Sequence, residues 1–343
     1  MIGAILRPLL FREEPYLSQP AIVIEGVTKR FRDKVAVDRL DLVVQSGSLC
    51  GFLGPNGAGK TTTIRMIMSI FYPDEGSIRV LGRDSAIESK DRIGYLPEER
   101  GIYRKMRMGE FLKYAARLKG MPRAGLENRV RAWLERVGLG DCYKKKCEEL
   151  SKGMQQKAQF IAAVIHEPEL LILDEPFSGL DPVNRRLLRS LINEQREKGH
   201  TVIFSTHAMF EAEQLCDHLF MIDRGKKVLD QTIEDVWRTH DPRSVIVDPV
   251  ERDSALAAVR SVPGIESVHA TTKGIEARLA QDANPQQIIA RIVQGVPVRR
   301  VELKRPTLED IFLELVGASS EDGSPAAELL RQREEALQEA ANA

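Results

Sequence analysis

The chain has 343 residues, room for two domains at roughly 100–200 residues each. A hydrophobic share of 43% and a charged share of 29% place it among ordinary soluble globular proteins. Lys plus Arg and Asp plus Glu both number 50, so the net charge gives no reason to expect a nucleic-acid partner. Residues 1–20 (MIGAILRPLLFREEPYLSQP) hold a short apolar run interrupted by Arg7 and Pro8, without a basic leader or a small-residue cleavage site. They read as an extension, not a signal peptide.

Residues 21–239 read as one α/β domain. Strand-like runs occur at Ala21–Glu25 and Asp41–Val44, and Leu49–Leu53 is a compact apolar strand leading into a glycine-rich loop and an amphipathic helix. From about Met106 to Val137 the pattern is helical: Phe111, Leu112, Ala115 and Leu118 share one face, and so do Leu126, Val130, Trp133, Leu134 and Val137. Leu170–Leu173 and Thr201–Ser205 are apolar without alternation, as central parallel strands buried on both faces are. Between them Asp181-Pro182 predicts a helix start, with Leu187, Leu188, Leu191 and Ile192 as its apolar stripe. Strands alternating with helices predict a parallel sheet, here with a helical insertion at about 99–155.

Past Thr239–Arg243 the periodicity restarts. Strand Ser244–Val247, helix Glu251–Ser261, strands Ile265–Ala270 and Gly274–Leu279, helix Pro285–Gln294, strand Val298–Leu303 and a last helix Thr307–Val316 are expected. The order βαββαβ predicts a small α+β ferredoxin-like domain over 240–317. Residues 318–343 are rich in Ala and Glu, too poor in large apolar residues for a core, and read as a frayed helix or disorder. Cys50, Cys142, Cys147 and Cys216 show neither a CxxC pair nor zinc spacing, which fits reduced thiols in a cytosolic protein. No segment has the ~20 consecutive apolar residues needed to cross a bilayer. Work at a membrane would need spans from another polypeptide.

Chemistry concentrates in two motifs. Gly54, Pro55, Asn56, Gly57, Ala58, Gly59, Lys60, Thr61 and Thr62 match G-x-x-x-x-G-K-[ST] between a strand and a helix. The glycines let successive backbone N–H groups curl inward onto phosphate oxygens, and the following helix adds the positive end of its dipole. Lys60 can reach the β- and γ-phosphates of ATP, and Thr61 can ligate Mg²⁺. Downstream, Leu170–Leu173 runs into Asp174 and Glu175. A buried strand ending in a carboxylate delivers it to the crest of the sheet beside the phosphate loop. Asp174 is placed to hold Mg²⁺, and Glu175 to act as general base or to orient the attacking water.

These motifs establish a P-loop NTPase; the others select a branch. Leu150-Ser151-Lys152-Gly153-Met154-Gln155-Gln156 resembles the LSGGQ signature of the ABC ATPase family. Ser178, Gly179, Leu180 and Asp181 resemble its D-loop, Ser205-Thr206-His207 its switch histidine, and Tyr95-Leu96-Pro97-Glu98 its Q-loop. Phe31 stands where the family has an aromatic that stacks on adenine; as a residue by itself it could equally be core. His207 alone could be a satisfied histidine at a strand end, or pair with Glu211 at i+4 as metal ligands.

The resemblance implies an ABC-type fold, with a mainly parallel core sheet, an antiparallel β subdomain and a helical insertion. It implies a head-to-tail dimer, homomeric or with another ATP-binding subunit, in which Ser151, Lys152, Gly153 and Gln155 of one chain close over ATP bound by the other. It implies His207 at the γ-phosphate and Glu98 beside Mg²⁺. Two departures stand out: Glu98 occupies the place of a glutamine, adding negative charge near the γ-phosphate, and Lys152 and Met154 replace the signature's usual residues.

Gly101–Arg107 (GIYRKMR) falls where the family receives a permease, and otherwise reads as a solvated charged loop. The ending PTLEDIFLELVG resembles the C-terminal extension of sodium-efflux and drug-efflux type exporter subunits. The expected function is thus an ATPase subunit at the cytoplasmic face of the membrane, driving a separately encoded integral membrane permease. The alternatives are a soluble ABC ATPase in a non-transport process and a nucleotide-gated regulatory subunit.

Overall fold

A computed structural model describes residues 19–99, 101–240, 244–271, 274–280, 282–304 and 306–317. The expectations for the first 18 residues and for 318–343 lie outside the described residues. The chain divides into two compact units: residues up to Thr206 together with Arg224–Lys226, and His207–Asp223 together with the residues from Lys227 on.

In chain order the first unit contains β1 (Ile22–Phe31), β2 (Lys34–Val44), β3 (Leu49–Leu53), α1 (Lys60–Ile67), β4 (Glu75–Val80), β5 (Ile93–Leu96), α2 (Met108–Leu118), α3 (Leu126–Arg136), α4 (Lys152–Val164), β6 (Leu170–Asp174), α5 (Pro182–Glu197) and β7 (Thr201–Thr206). Strands β2, β1 and β4 make an antiparallel sheet in that order. Strands β5, β6, β7 and β3 lie side by side in that order, all parallel. Every residue of β3, β6 and β7 is buried, as their unbroken apolar runs predict for strands covered on both faces.

Some elements exceed what the sequence marks. Strands β1 and β2 run to a tight turn in which Phe31 pairs with Lys34, well past the expected Ala21–Glu25 and Asp41–Val44. Their outer halves are held by cross-strand pairing of mixed-polarity residues, which leaves no apolar run to read. Strand β5 (IGYL) is likewise too short to stand out, and exists because β6 pairs with it along its whole length. The helical stretch from Met106 to Val137 is two helices, separated around Gly120–Gly125.

On α2 the buried face is Phe111, Leu112 and Ala116; Ala115 is half-buried and Leu118 is exposed, a correction to the expected stripe. Leu118 sits in the last turn and faces solvent, while Lys119 beside it turns in to donate to the carbonyls of Lys90 and Ile93. On α3 Leu126, Val130 and Leu134 are buried as read. Helix α5 starts as its sequence implies: the Asp181 carboxylate accepts from the Val183 and Asn184 N–H groups, both at 3.0 Å, with Pro182 at the first helical position.

The second unit opens with α6 (Met209–Leu215), β8 (His218–Asp223), β9 (Lys226–Thr232) and α7 (Ile233–Thr239). It continues with β10 (Ser244–Pro249), α8 (Arg252–Arg260), β11 (Ile265–Thr271), β12 (Gly274–Leu279), α9 (Pro285–Gly295), β13 (Val298–Lys304) and α10 (Leu308–Gly317). The last four strands form an antiparallel sheet ordered β11-β12-β10-β13, the ferredoxin-like arrangement that the βαββαβ order implies. Val245, Val247, Val259, Ala277, Ile288 and Ile292 form its core. Helix α10 buries Leu308, Ile311, Phe312 and Val316, and its Leu308 N–H donates to Glu213 Oε1 of α6 at 2.6 Å. Among the described residues no helix is long and apolar enough to cross a membrane.

Candidate active site

The glycine-rich loop leaves the end of β3 and enters α1 at Lys60. Gly59 has φ 109, and a Cβ there would lie 2.5 Å from the Ala36 carbonyl oxygen, so both the turn and the close approach of β2 require glycine. The Lys60 ammonium is only 6% exposed; it donates to the carbonyls of Gly54 at 2.7 Å and Pro55 at 3.1 Å and lies 3.9 Å from Glu175 Oε1. Burial lowers its pKa, while Glu175, Asp174 and Glu98 oppose the shift and favour the charge.

Strand β6 carries Asp174 and Glu175 to this loop. The Thr61 hydroxyl donates to Asp174 Oδ1 at 3.4 Å, and the Ser205 hydroxyl donates to the same oxygen. Burial pushes the Asp174 carboxyl above the usual carboxylate range; the Ser205 and Thr61 hydrogen bonds oppose this, and the Glu175 charge adds to it. Glu175 sits at φ 48, a left-handed conformation that disfavours a side chain by roughly 1–2 kcal/mol. It is held there by β7: its N–H donates to the Ser205 carbonyl at 3.1 Å, and its Oε2 accepts from the Thr206 hydroxyl at 3.3 Å. These supporting roles of Ser205 and Thr206 are absent from the sequence reading. Their signal was the polar end of an otherwise apolar strand.

A cavity of about 390 Å³ opens over these groups, lined by Phe31, Lys34, Ala36, Asn56, Gly57, Gly59, Lys60, Thr61, Thr62, Glu98 and Glu175. Phe31 is 43% exposed and meets Phe71 edge-on at 5.6 Å, so it is a wall of the cleft and not a core residue. Glu98 is exposed at the rim, two residues past β5. Nearby, burial pushes the Tyr95 phenol up to about 12; the Asp174 charge adds to the shift and Arg65 opposes it.

The residues fit Mg²⁺. Asp174 Oδ2 is buried with no hydrogen-bond partner, and the Thr61 hydroxyl is beside the same carboxylate. Both are hard oxygen donors. Among the described residues no group of three or more His, Cys, Asp or Glu is placed to hold a metal. Mg²⁺ needs none, since it is usually held by one or two carboxylates, substrate phosphates and waters.

The signature and D-loop residues do not line this cavity. Ser151 caps α4, its hydroxyl accepting from the Met154 N–H at 3.3 Å, and Gln155 Nε2 donates to the carbonyls of Cys147 and Leu150, both at 3.1 Å. Ser151 and Lys152 are exposed, and Gly153 is half-buried with Leu180 and Asn184 as its neighbours. Ser178, Gly179 and Asp181 are exposed, while Leu180 is buried. His207 is exposed directly after β7, as the first residue of the second unit, and Glu211 is buried. The four cysteines are free and buried.

Comparison with known proteins places this geometry. Residues 37–178 match the ABC transporter family model, and residues 232–316 match the C-terminal domain of DrrA1-3-like ATP-binding proteins. Residues 146–212 also match an AAA domain model described as a putative AbiEii toxin of a type IV toxin–antitoxin system. The chain is 44% identical over 297 residues to the uncharacterized ABC transporter ATP-binding protein YhaQ of Bacillus subtilis (strain 168), covering 87% of this chain and 99% of that one. It is 32% identical to the daunorubicin resistance ATP-binding protein DrrA3 of Streptomyces coeruleorubidus, covering 88% and 97%. A solved structure described as the ATP binding subunit of an ABC transporter superposes with a TM-score of 0.60 at 30% identity, covering 64% of this chain and 92% of the other. The chain therefore belongs to the ABC transporter ATP-binding proteins and is an ATPase of that family.

Proposed function

We propose that the chain is the motor subunit of an exporter, hydrolysing ATP at the cytoplasmic face of the membrane to drive separately encoded permease subunits. The observation that carries this reading is the convergence of Lys60, Thr61 and Glu175 on one cleft walled by Phe31, with Asp174 buried behind the Thr61 hydroxyl that donates to it. Relatives named for daunorubicin resistance and Nod factor export support the direction of transport.

Phe31 offers a flat face on which adenine stacks. The N–H groups from Gly57 to Thr62 and the N-terminus of α1 hold the phosphates. Lys60 exchanges the Gly54 and Pro55 carbonyls for phosphate oxygens, gaining closer charge partners for its buried ammonium than Glu175 at 3.9 Å. Thr61, Asp174 and Glu98 hold Mg²⁺, which when bound neutralises developing charge on the phosphates. Glu175 orients the attacking water and takes its proton. His207 contacts the γ-phosphate. Ser151, Lys152, Gly153 and Gln155 of a second subunit, with the D-loop Ser178–Asp181 beside them, complete the site across a head-to-tail dimer. This accounts for their absence from the cavity of their own chain and for the exposure of Ser151, Lys152, Ser178, Gly179 and Asp181.

The region 240–317 serves as an accessory dimerising or regulatory domain. Gly101–Arg107 lies on the side of the subunit that faces the permease and the membrane.

The test has two parts. Purified chain should hydrolyse ATP, and Glu175→Gln should keep ATP binding, accumulate as an ATP-dependent dimer and lose turnover by roughly 10²–10⁴-fold. Tagged chain drawn from detergent-solubilised native membranes should bring a polytopic membrane protein with it. Capture of only soluble partners would overturn the transport reading and leave the ATPase standing.

A further inference from the structure

The neutral chain hides a strong charge separation. Residues 101–152 contain 14 Lys and Arg against 6 Asp and Glu, leaving 36 against 44 elsewhere. Within that stretch two loops are zipped together by backbone hydrogen bonds. Met108 N–H donates to the Lys145 carbonyl and Cys147 N–H to the Met106 carbonyl, both at 2.9 Å, and Arg107 pairs with Lys146 in an isolated bridge. The zipper gathers Arg104, Lys105, Arg107, Lys144, Lys145 and Lys146, all exposed, into one patch. Of these six cations only Lys146 has a carboxylate partner among the described residues, Glu148 at 3.8 Å. Exposed rings flank it: Tyr103 and Tyr114 meet edge-on at 5.5 Å, with the exposed Leu118 on the same helix as Tyr114.

We propose that this patch is a docking surface for the anionic phospholipid headgroups of the membrane leaflet beside the permease. The proposal rests on the reading of the chain as a transporter subunit. A row of three consecutive lysines on a loop is a set of hydrated point charges suited to a diffuse anionic surface more than to one defined carboxylate. Tyrosines at the rim are the side chains that favour the boundary between headgroups and water.

The experiment is sedimentation of the full chain with phosphatidylcholine vesicles, and with vesicles of phosphatidylcholine and phosphatidylglycerol in equal parts. Binding should require phosphatidylglycerol and weaken with salt. Replacing Lys144, Lys145 and Lys146 together by Gln should weaken it about 100-fold, at roughly fivefold per cation, with ATP turnover of the free subunit unchanged as evidence that the variant folds. Separate Arg104→Gln and Lys105→Gln changes should each weaken binding about fivefold.

Equal binding to both vesicle types, or full binding by the triple variant, would overturn the proposal. Loss of permease capture by the triple variant with unchanged vesicle binding would assign the patch to an acidic segment of the permease, and would also overturn it. A chain that captures a polytopic protein yet ignores phosphatidylglycerol sinks only the lipid surface. One that binds the lipid but captures no such protein sinks the transporter reading on which it rests.

Discussion

The Thr61 hydroxyl donates to Asp174 Oδ1 across 3.4 Å, although 113 residues separate them in the chain. The contact joins the start of α1 to the end of β6 and leaves the other Asp174 oxygen buried without a partner. Because burial raises the Asp174 pKa, the unfolded chain ionises first as pH rises from 3.8, while the folded chain keeps its proton longer. Stability of the metal-free protein therefore falls with rising pH until the folded value is passed, and the ionised carboxylate is a burden at neutral pH. Asp174→Asn should raise the metal-free melting temperature, by about 2–4 °C for each kcal/mol relieved, and lower turnover by roughly 10²–10³-fold. Calorimetry without metal checks the first outcome; an unchanged or lowered melting temperature contradicts it.

His166, which does not line the cavity, provides a second pH handle. Its ring shares a hydrogen bond with the Ile93 carbonyl at 3.2 Å, and burial, with Lys119 adding, pushes its pKa down to about 4 from 6.5. As pH falls below 6.5 the unfolded ring takes a proton that the folded ring refuses, so stability drops between pH 6.5 and about 4. Urea midpoints measured across that window should fall less steeply for His166→Gln than for the parent. Parallel curves would remove His166 as a contributor.

At the cleft wall, Phe31→Ala should weaken ATP binding about 3–10-fold and Phe31→Trp should preserve it, since an aromatic contact is worth roughly 0.5–1.5 kcal/mol beyond burial. Calorimetric titration with ATP distinguishes stacking from mere closure of the rim. A Leu substitution that binds as well as Trp would favour closure.

Glu98 adds a carboxylate to a rim that already has Glu175. Glu98→Gln should tighten ATP binding in the absence of Mg²⁺ by about fivefold, the scale of one exposed charge–charge interaction. It should also weaken the dependence of binding on Mg²⁺. Affinity that is unchanged with chelator present would place Glu98 too far from the phosphates to act on them.

Where a segment carries its own reason to fold, the sequence is legible. The glycine loop is fixed by backbone conformations that few residues other than glycine adopt, strand β6 by an apolar run ending in two carboxylates, and α5 by an aspartate cap followed by proline. The βαββαβ order of the second unit is equally readable, and the observed strand order follows from it. Unlike β8, which carries its own apolar run, Leu219–Ile222, strands β5 and β9, the outer halves of β1 and β2, and the buried face of α2 are not readable in this way. Each depends on what lies beside it and not on its own composition.

The site divides along the same line. By itself the sequence determined which residues are candidates for the chemistry, because a phosphate cradle, a magnesium ligand and a base demand particular side chains at fixed local spacings. Only the tertiary structure decided that Ser205 and Thr206 hold the two carboxylates, that Phe31 faces a cleft instead of the core, and that six cations from two loops form one patch. Local spacing reports what one segment can do. Partners brought together across tens to hundreds of residues are chosen by strand register and packing, which no single segment encodes.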